Sequence, residues 1–181
     1  MNRIPELPDV EFRPTAFWRL AFAVSGLLLH AVVQGQSVPG SEPDEPEDYV
    51  RWDSAYIQTV ADRLETELGD QALVWATIGN YDGHSMYLIL RGRTSPAELH
   101  ETESDIQIGV RGTALSIVGG ELVDAESLPR KQQRGSSIDG GLRRNTFAGD
   151  IIHIPPGIPH QLIIDQPYMY LLFKLDEEPL G

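Results

Sequence analysis

Between Ala72 and Leu175 the chain is a succession of short apolar runs broken by Gly, Pro, Asn and Asp, and that rhythm narrows the fold more than any other feature. The runs lie at 72–78, 85–91, 106–110, 113–118, 151–154, 161–164 and 168–175. Strands this short and closely spaced, with Gly and Pro turns, indicate an antiparallel sandwich or barrel. No helical pattern alternates with them, which argues against a parallel α/β fold. Turn clusters stand at 79–83, at Gly119-Gly120 and at Asp139-Gly140-Gly141. Gly119-Gly120, between Val118 and Leu122, reads as a hairpin turn. Residues 124–137 read as a polar loop carrying Arg130, Lys131 and Arg134.

One convincing helix precedes the strands. Trp52, Tyr56, Ile57, Val60, Leu64 and Leu68 recur at helical spacing. Asp53 or Ser54 can cap its start, and Gly69 stops it. The expectation is an amphipathic helix over about 53–68, in a segment 53–71, packed on the outside of a domain spanning 72–177. Before it, residues 36–52 form an acidic, Pro-rich linker that cannot bury a core. Residues 1–35 read as an export signal: Arg3, Arg13 and Arg19 precede an apolar run from Leu20 to Val33, and small or polar residues follow. That run is short for a membrane span and contains His30. The expectation is a periplasmic or secreted protein without stable membrane insertion; an uncut N-terminal anchor is the alternative.

The 181 residues include 14 basic and 27 acidic ones, for a formal net charge of −13. Such a chain is repelled by nucleic acid and by anionic membrane surfaces. There are no cysteines, which excludes disulfides, thiolate metal sites and a Cys nucleophile. No Gly-x-Ser-x-Gly elbow and no phosphate-binding Gly-rich loop opening a helix occurs.

Two segments carry chemistry. Residues 92–112 read GRTSPAELHETESDIQIGVRG, and residues 149–160 read GDIIHIPPGIPH. Residues two apart in a strand share a face, so Glu98 and His100 point the same way. Thr102, Glu103 and Ser104 are turn-capable, and Asp105 opens the next strand, where pairing would bring it to Glu98 and His100. Pro155-Pro156-Gly157-Ile158-Pro159 braces the chain just before His160, which suits a ligand that must not wander. Two imidazoles and a carboxylate on a rigid scaffold can form a facial triad for a divalent Fe, Mn, Zn or Ni ion, with open positions for water or substrate.

The same segments resemble the paired motifs of the cupin superfamily. Gly92, Glu98, His100, Asp105 and Gly112 fall on the Gly, His, His, Glu and Gly positions of the first motif. Gly149, Pro155, Gly157 and His160 match the second, with Ile164 where Asn is usual. The resemblance covers about residues 72–176 and implies a small, jelly-roll-like antiparallel barrel with its ligands pointing into the lumen. It implies a metal site of His100, Asp105 and His160, with Glu98 as a fourth ligand or an acid–base group. It departs from the family at two ligand positions: Glu98 replaces a His and Asp105 a Glu. Barrels of this type often pair through sheet edges, which makes a homodimer an expectation.

His84, beside Gly83, is a candidate general base at a pocket mouth, or a surface turn histidine. Gln107 shares parity with Asp105 and is a candidate lumen residue. His153 reads as outward-facing. Arg130, Lys131 and Arg134 read as a solvated loop that can also draw an acidic substrate, and Tyr168 and Tyr170 as packing residues on one face. The functional expectation is a metal-dependent oxygenase or isomerase acting on a small organic molecule. The alternatives are a non-catalytic module binding a small ligand such as a sugar, and a barrel with a structural or signalling role and an empty site.

Overall fold

The computed structural model describes residues 46, 47 and 49–176. The expected export signal at 1–35 lies outside the described residues, as does most of the linker. The described part of the unit ending at Arg51 holds a turn in which Tyr49 N–H donates to the Pro46 carbonyl at 3.1 Å. The second unit begins at Trp52.

Helix α1 spans Ser54–Leu68, and Asp53 is its cap, its side chain accepting from Tyr56 N–H at 2.8 Å. Gly69 ends it with φ +44°. Its stripe of Val60, Ala61, Leu64 and Leu68 packs on Val74, Ala76, Leu88, Leu90 and Met169. Burying a side chain such as Leu64 contributes about 1.5–3 kcal/mol. Among the described residues no helix is long and apolar enough to cross a membrane.

Thirteen strands follow: β1 (Leu73–Tyr81), β2 (His84–Arg91), β3 (Ala97–His100), β4 (Glu103–Arg111), β5 (Thr113–Val118), β6 (Glu121–Val123), β7 (Glu126–Leu128), β8 (Gln132–Gly135), β9 (Ser137–Asp139), β10 (Leu142–Phe147), β11 (Ile151–Ile154), β12 (His160–Ile163) and β13 (Tyr168–Asp176). They form a five-stranded sheet in the order β1-β2-β13-β4-β11, a six-stranded sheet β10-β5-β12-β3-β8-β7, and a β6-β9 pair. Every pairing is antiparallel. The two large sheets share an inner core. Ile89, Tyr168, Tyr170 and Leu172 from the first meet Ala114 and Leu162 from the second, with Ile164 just beyond β12. Strand alternation thus assigns each face: in β13, Met169 packs toward α1, while Tyr168, Tyr170 and Leu172 face the second sheet.

Three local expectations are corrected. Gly119-Gly120 is a corner rather than a hairpin turn, because both edges of β5 are already taken by β10 and β12, and β6 pairs with β9. The region 124–137 is no loop: it contains the β7–β8 hairpin, whose polar residues hide its strand character. The turn cluster 79–83 shrinks to Asp82-Gly83, since β1 runs on to Tyr81 through an irregularity at Gly79.

Candidate metal centre

Four residues from the two motif segments meet on the inner faces of the two large sheets. Glu98 and His100 share a face of β3, and His160 opens β12 directly opposite Glu98. The braced bend before His160 is fastened to the first motif, where Gly157 N–H donates to the His100 carbonyl at 2.7 Å. It is also fastened to β5's end, where Gly119 N–H donates to the Pro159 carbonyl at 2.8 Å. Asp105 comes from β4 in the facing sheet, opposite Ile154.

The two carboxylates each turn one oxygen toward the two imidazoles. Asp105 Oδ2 lies 3.6 Å from His100 Nε2 and 3.4 Å from His160 Nε2. Glu98 Oε2 lies 3.7 Å and 4.0 Å from the same two atoms. One ligand atom each from Glu98, His100 and His160 falls within a mutual 4.8 Å. The imidazole rings are 5.2 Å apart and tilted by 58°. His160 Nδ1 sits 3.1 Å from the Ile158 carbonyl, which can only accept, so Nδ1 carries the proton and Nε2 faces the carboxylates. His160 Nε2 and both nitrogens of His100 are buried without a hydrogen-bond partner. Buried polar atoms rarely stay unmatched, and here two imidazole Nε2 atoms each face an oxygen of Glu98 and of Asp105 within 4.0 Å. A first-row divalent ion about 2.0–2.2 Å from each donor bridges separations of this size. The residues present therefore fit a metal.

Electrostatics sharpen the picture. Burial opposes ionisation of Asp105, but the two imidazoles and Lys174 outweigh it and hold the carboxyl well below its usual range. Glu98 is also held low against burial, chiefly by Arg134 and Arg91. Both are carboxylates at neutral pH. His160 moves the other way: burial disfavours its charge, yet Asp105 and Glu98 raise its pKa.

Gln107 is buried beside the centre, and its Oε1 also lacks a partner. It lines the same small cavity as Glu98, Asp105 and His160, with about 20 Å3 of free space. His84 is not part of the centre. It is exposed, stacks on Tyr81 at 5.0 Å, and lines a separate polar cleft of about 270 Å3 with Arg130, Lys174 and Asp176. His153 is exposed on β11. Tyr168 and Tyr170 stack at 5.4 Å in the inner core. Sequence reasoning missed four residues around the ligands. Lys174 Nζ contacts Asp105 and Glu103 at 2.9 Å each. Arg91 and Arg134 lie 3.9 Å and 3.5 Å from Glu98 Oε1, and Arg91 also donates to Tyr170 Oη at 3.0 Å. Arg134 is therefore a half-buried strand residue opposite Glu98 rather than part of a solvated loop. Glu103, read as a turn residue, opens β4 and is buried. The sequence signals that could have found two of them are the alternation of Lys174 with Tyr168, Tyr170 and Leu172 and of Glu103 with Asp105 and Gln107.

Two antiparallel sheets with both motif segments on their facing inner surfaces are the arrangement that the motif resemblance implies. The fold is of the cupin type. No family model matches the chain, and no curated protein matches it in sequence. Among solved structures it is similar to a cupin 2 conserved barrel domain protein from Salinispora arenicola, at 18% identity and a TM-score of 0.39, covering 57% of this chain and 76% of that one. It is similar to KdgF from Halomonas sp. at 13% identity and a TM-score of 0.43, covering 59% and 82%. The DMSP lyase DddQ from Ruegeria pomeroyi overlays at 19% identity and 0.43, covering 61% of this chain and 52% of that one. Overlays at this level say nothing of chemistry, which rests on the residues of the site itself.

Proposed function

We propose that this cupin-type domain binds a divalent metal at the centre formed by His100, His160 and the carboxylates Glu98 and Asp105, and that it is a metal-dependent enzyme of the oxygenase or isomerase class acting on a small organic molecule. The observation that carries the metal reading is that two buried, unpartnered imidazole nitrogens, His100 Nε2 and His160 Nε2, face the carboxylate oxygens of Glu98 and Asp105. A bound ion would supply Lewis-acid or redox chemistry. The chain's own residues define the rest. Ile158 fixes the His160 tautomer that leaves Nε2 free to ligate. Arg91 and Arg134 keep Glu98 ionised, so a Glu98 outside the coordination shell accepts a proton rather than donating one. Leu162, Tyr170 and Leu172 line the adjoining cavity and restrict water.

One observation favours a second reading, a non-catalytic module. The free space at the centre, about 20 Å3, holds roughly one water and no organic substrate. In that reading the metal is retained and a small ligand binds elsewhere on the domain. Elemental analysis of protein purified without chelator tests the common element: absence of a divalent metal, together with failure to take one up on titration, removes both metal readings. Turnover of small oxygen-bearing molecules by loaded protein, lost with the metal, separates the enzyme from the module. We further propose that the domain works outside the cytoplasm after cleavage near Gln36, which the mature N-terminus decides.

A further inference from the structure

The two carboxylates that face the imidazoles are not equivalent. Lys174 stands directly opposite Asp105 in the β13–β4 register. Its Nζ lies 2.9 Å from Asp105 Oδ1 and 2.9 Å from Glu103 Oε2. Glu103 is braced in turn by Gln132 Nε2 at 3.1 Å and by Arg130 at 3.5 Å. The ammonium is thus pinned between two carboxylates, and backbone register rather than a chance rotamer delivers it there. Glu98 has only looser company, with its Oε1 at 3.5 Å from Arg134 and 3.9 Å from Arg91.

Distance alone would make Asp105 the better ligand, because its Oδ2 is nearer to both Nε2 atoms than Glu98 Oε2 is. The ammonium on its other oxygen reverses that order. A carboxylate in a short, charge-assisted hydrogen bond has part of its charge already spent. The same ammonium repels an arriving dication across a few ångströms of poorly screened interior. Building on the metal reading above, we propose that Lys174 is a positioning residue that holds Asp105 in the outer shell, leaves Glu98, His100 and His160 as the ligands in direct contact, and lowers the affinity of the centre for divalent ions. Two imidazoles and one carboxylate then leave coordination positions open, as a catalytic rather than a closed structural site requires.

The experiment is a calorimetric titration of the full chain with Zn2+ and with Mn2+. It compares wild type with Lys174→Gln, Lys174→Arg, Asp105→Asn, Glu98→Gln and the Lys174→Gln/Asp105→Asn double variant. Lys174→Gln is expected to bind about tenfold tighter or better, and the added Asp105→Asn to cancel that gain, as outer-shell changes typically move metal affinity about 10–100-fold. Lys174→Arg, which keeps the charge, should stay with wild type. In the wild-type background Glu98→Gln should weaken binding far more than Asp105→Asn. A Lys174→Gln variant that binds no more tightly, or an Asp105→Asn loss equal to that of Glu98→Gln, overturns the assignment. Misfolding does not tighten binding, and if Lys174→Gln fails to fold, the Asp105 and Glu98 variants decide alone. Wild-type protein that takes up neither ion overturns the metal reading itself and this assignment with it.

Discussion

His160 Nδ1 lies 3.1 Å from the carbonyl oxygen of Ile158, two residues earlier in the same proline-braced bend. That contact commits the ring's remaining nitrogen to the centre, where it meets two carboxylate oxygens and no donor. A neutral Nε2 facing carboxylates is an arrangement of acceptors, which only a proton or a metal relieves. His160→Ala and His100→Ala should each abolish metal retention through dialysis while leaving the circular dichroism of the domain in place. Removing an inner ligand should cost more than the ~10–100-fold typical of an outer-shell partner. Retention of metal in both variants would place the ion elsewhere.

The same groups predict a pH dependence whose sign reverses on metal loading. In metal-free protein His160 has a raised pKa, so its contribution to stability is complete below the unfolded value of about 6.5 and is lost as pH rises through the folded value. Asp105 and Glu98 are held low, so their contribution is complete above about 4 and is lost as pH falls through their folded values. Metal-free protein should therefore be most stable between roughly pH 4.5 and 6 as far as these groups decide it. A metal needs the neutral imidazole, so its binding displaces the His160 proton and strengthens with pH. Thermal melts of chelated and Zn2+-loaded protein from pH 5 to 8 should show a metal-induced rise in Tm that grows with pH. A rise that shrinks instead would mean that His160 is not a ligand.

His84 offers the control. It lines the outer cleft with Tyr81, Arg130 and Lys174, and is exposed and outside the ligand cluster. His84→Ala should leave metal affinity unchanged and alter stability by no more than about 0.5 kcal/mol, as for an ordinary surface site. Titration and urea unfolding on the same preparation check both. A loss of metal on this substitution would mean that the cleft and the centre are one site.

What was legible in the chain follows the range of the interactions. Glu98 and His100 on one face, and the fixed bend before His160, are local consequences of strand alternation and proline. They survive intact in the structure. The helix was legible for the same reason, and only its cap needed the Asp53–Tyr56 hydrogen bond to decide it. Lys174 beside Asp105 and Arg134 beside Glu98 are products of cross-strand register between distant segments, which no short window contains. The β7–β8 hairpin was hidden because Gln132, Gln133 and Arg134 carry no apolar alternation. Gly119-Gly120 carries a strong local turn signal, but the strands it joins do not pair with each other, because β10 and β12 occupy both edges of β5.

Two motif glycines should differ in what they tolerate, although both have positive φ. Gly149 has φ +90° and open space where a Cβ would sit. Gly112 has φ +80°, and a Cβ there would run into the Pro167 carbonyl oxygen, with Tyr168 Cα at 3.4 Å. The first therefore meets backbone strain alone, and the second meets strain plus a clash with a main chain that cannot step aside. Gly112 follows the strand that carries Asp105, and Pro167 leads into the strand that carries Lys174, so the close approach holds the ends of β4 and β13 together. Gly149→Ala should cost about 1 kcal/mol, the lower end for a strained backbone position. Gly112→Ala should cost about 2 kcal/mol or more, since overpacking adds to the strain. Urea midpoints of the two variants measure the difference, and equal costs would mean that β4 and β13 are not held together as closely as the structure has them.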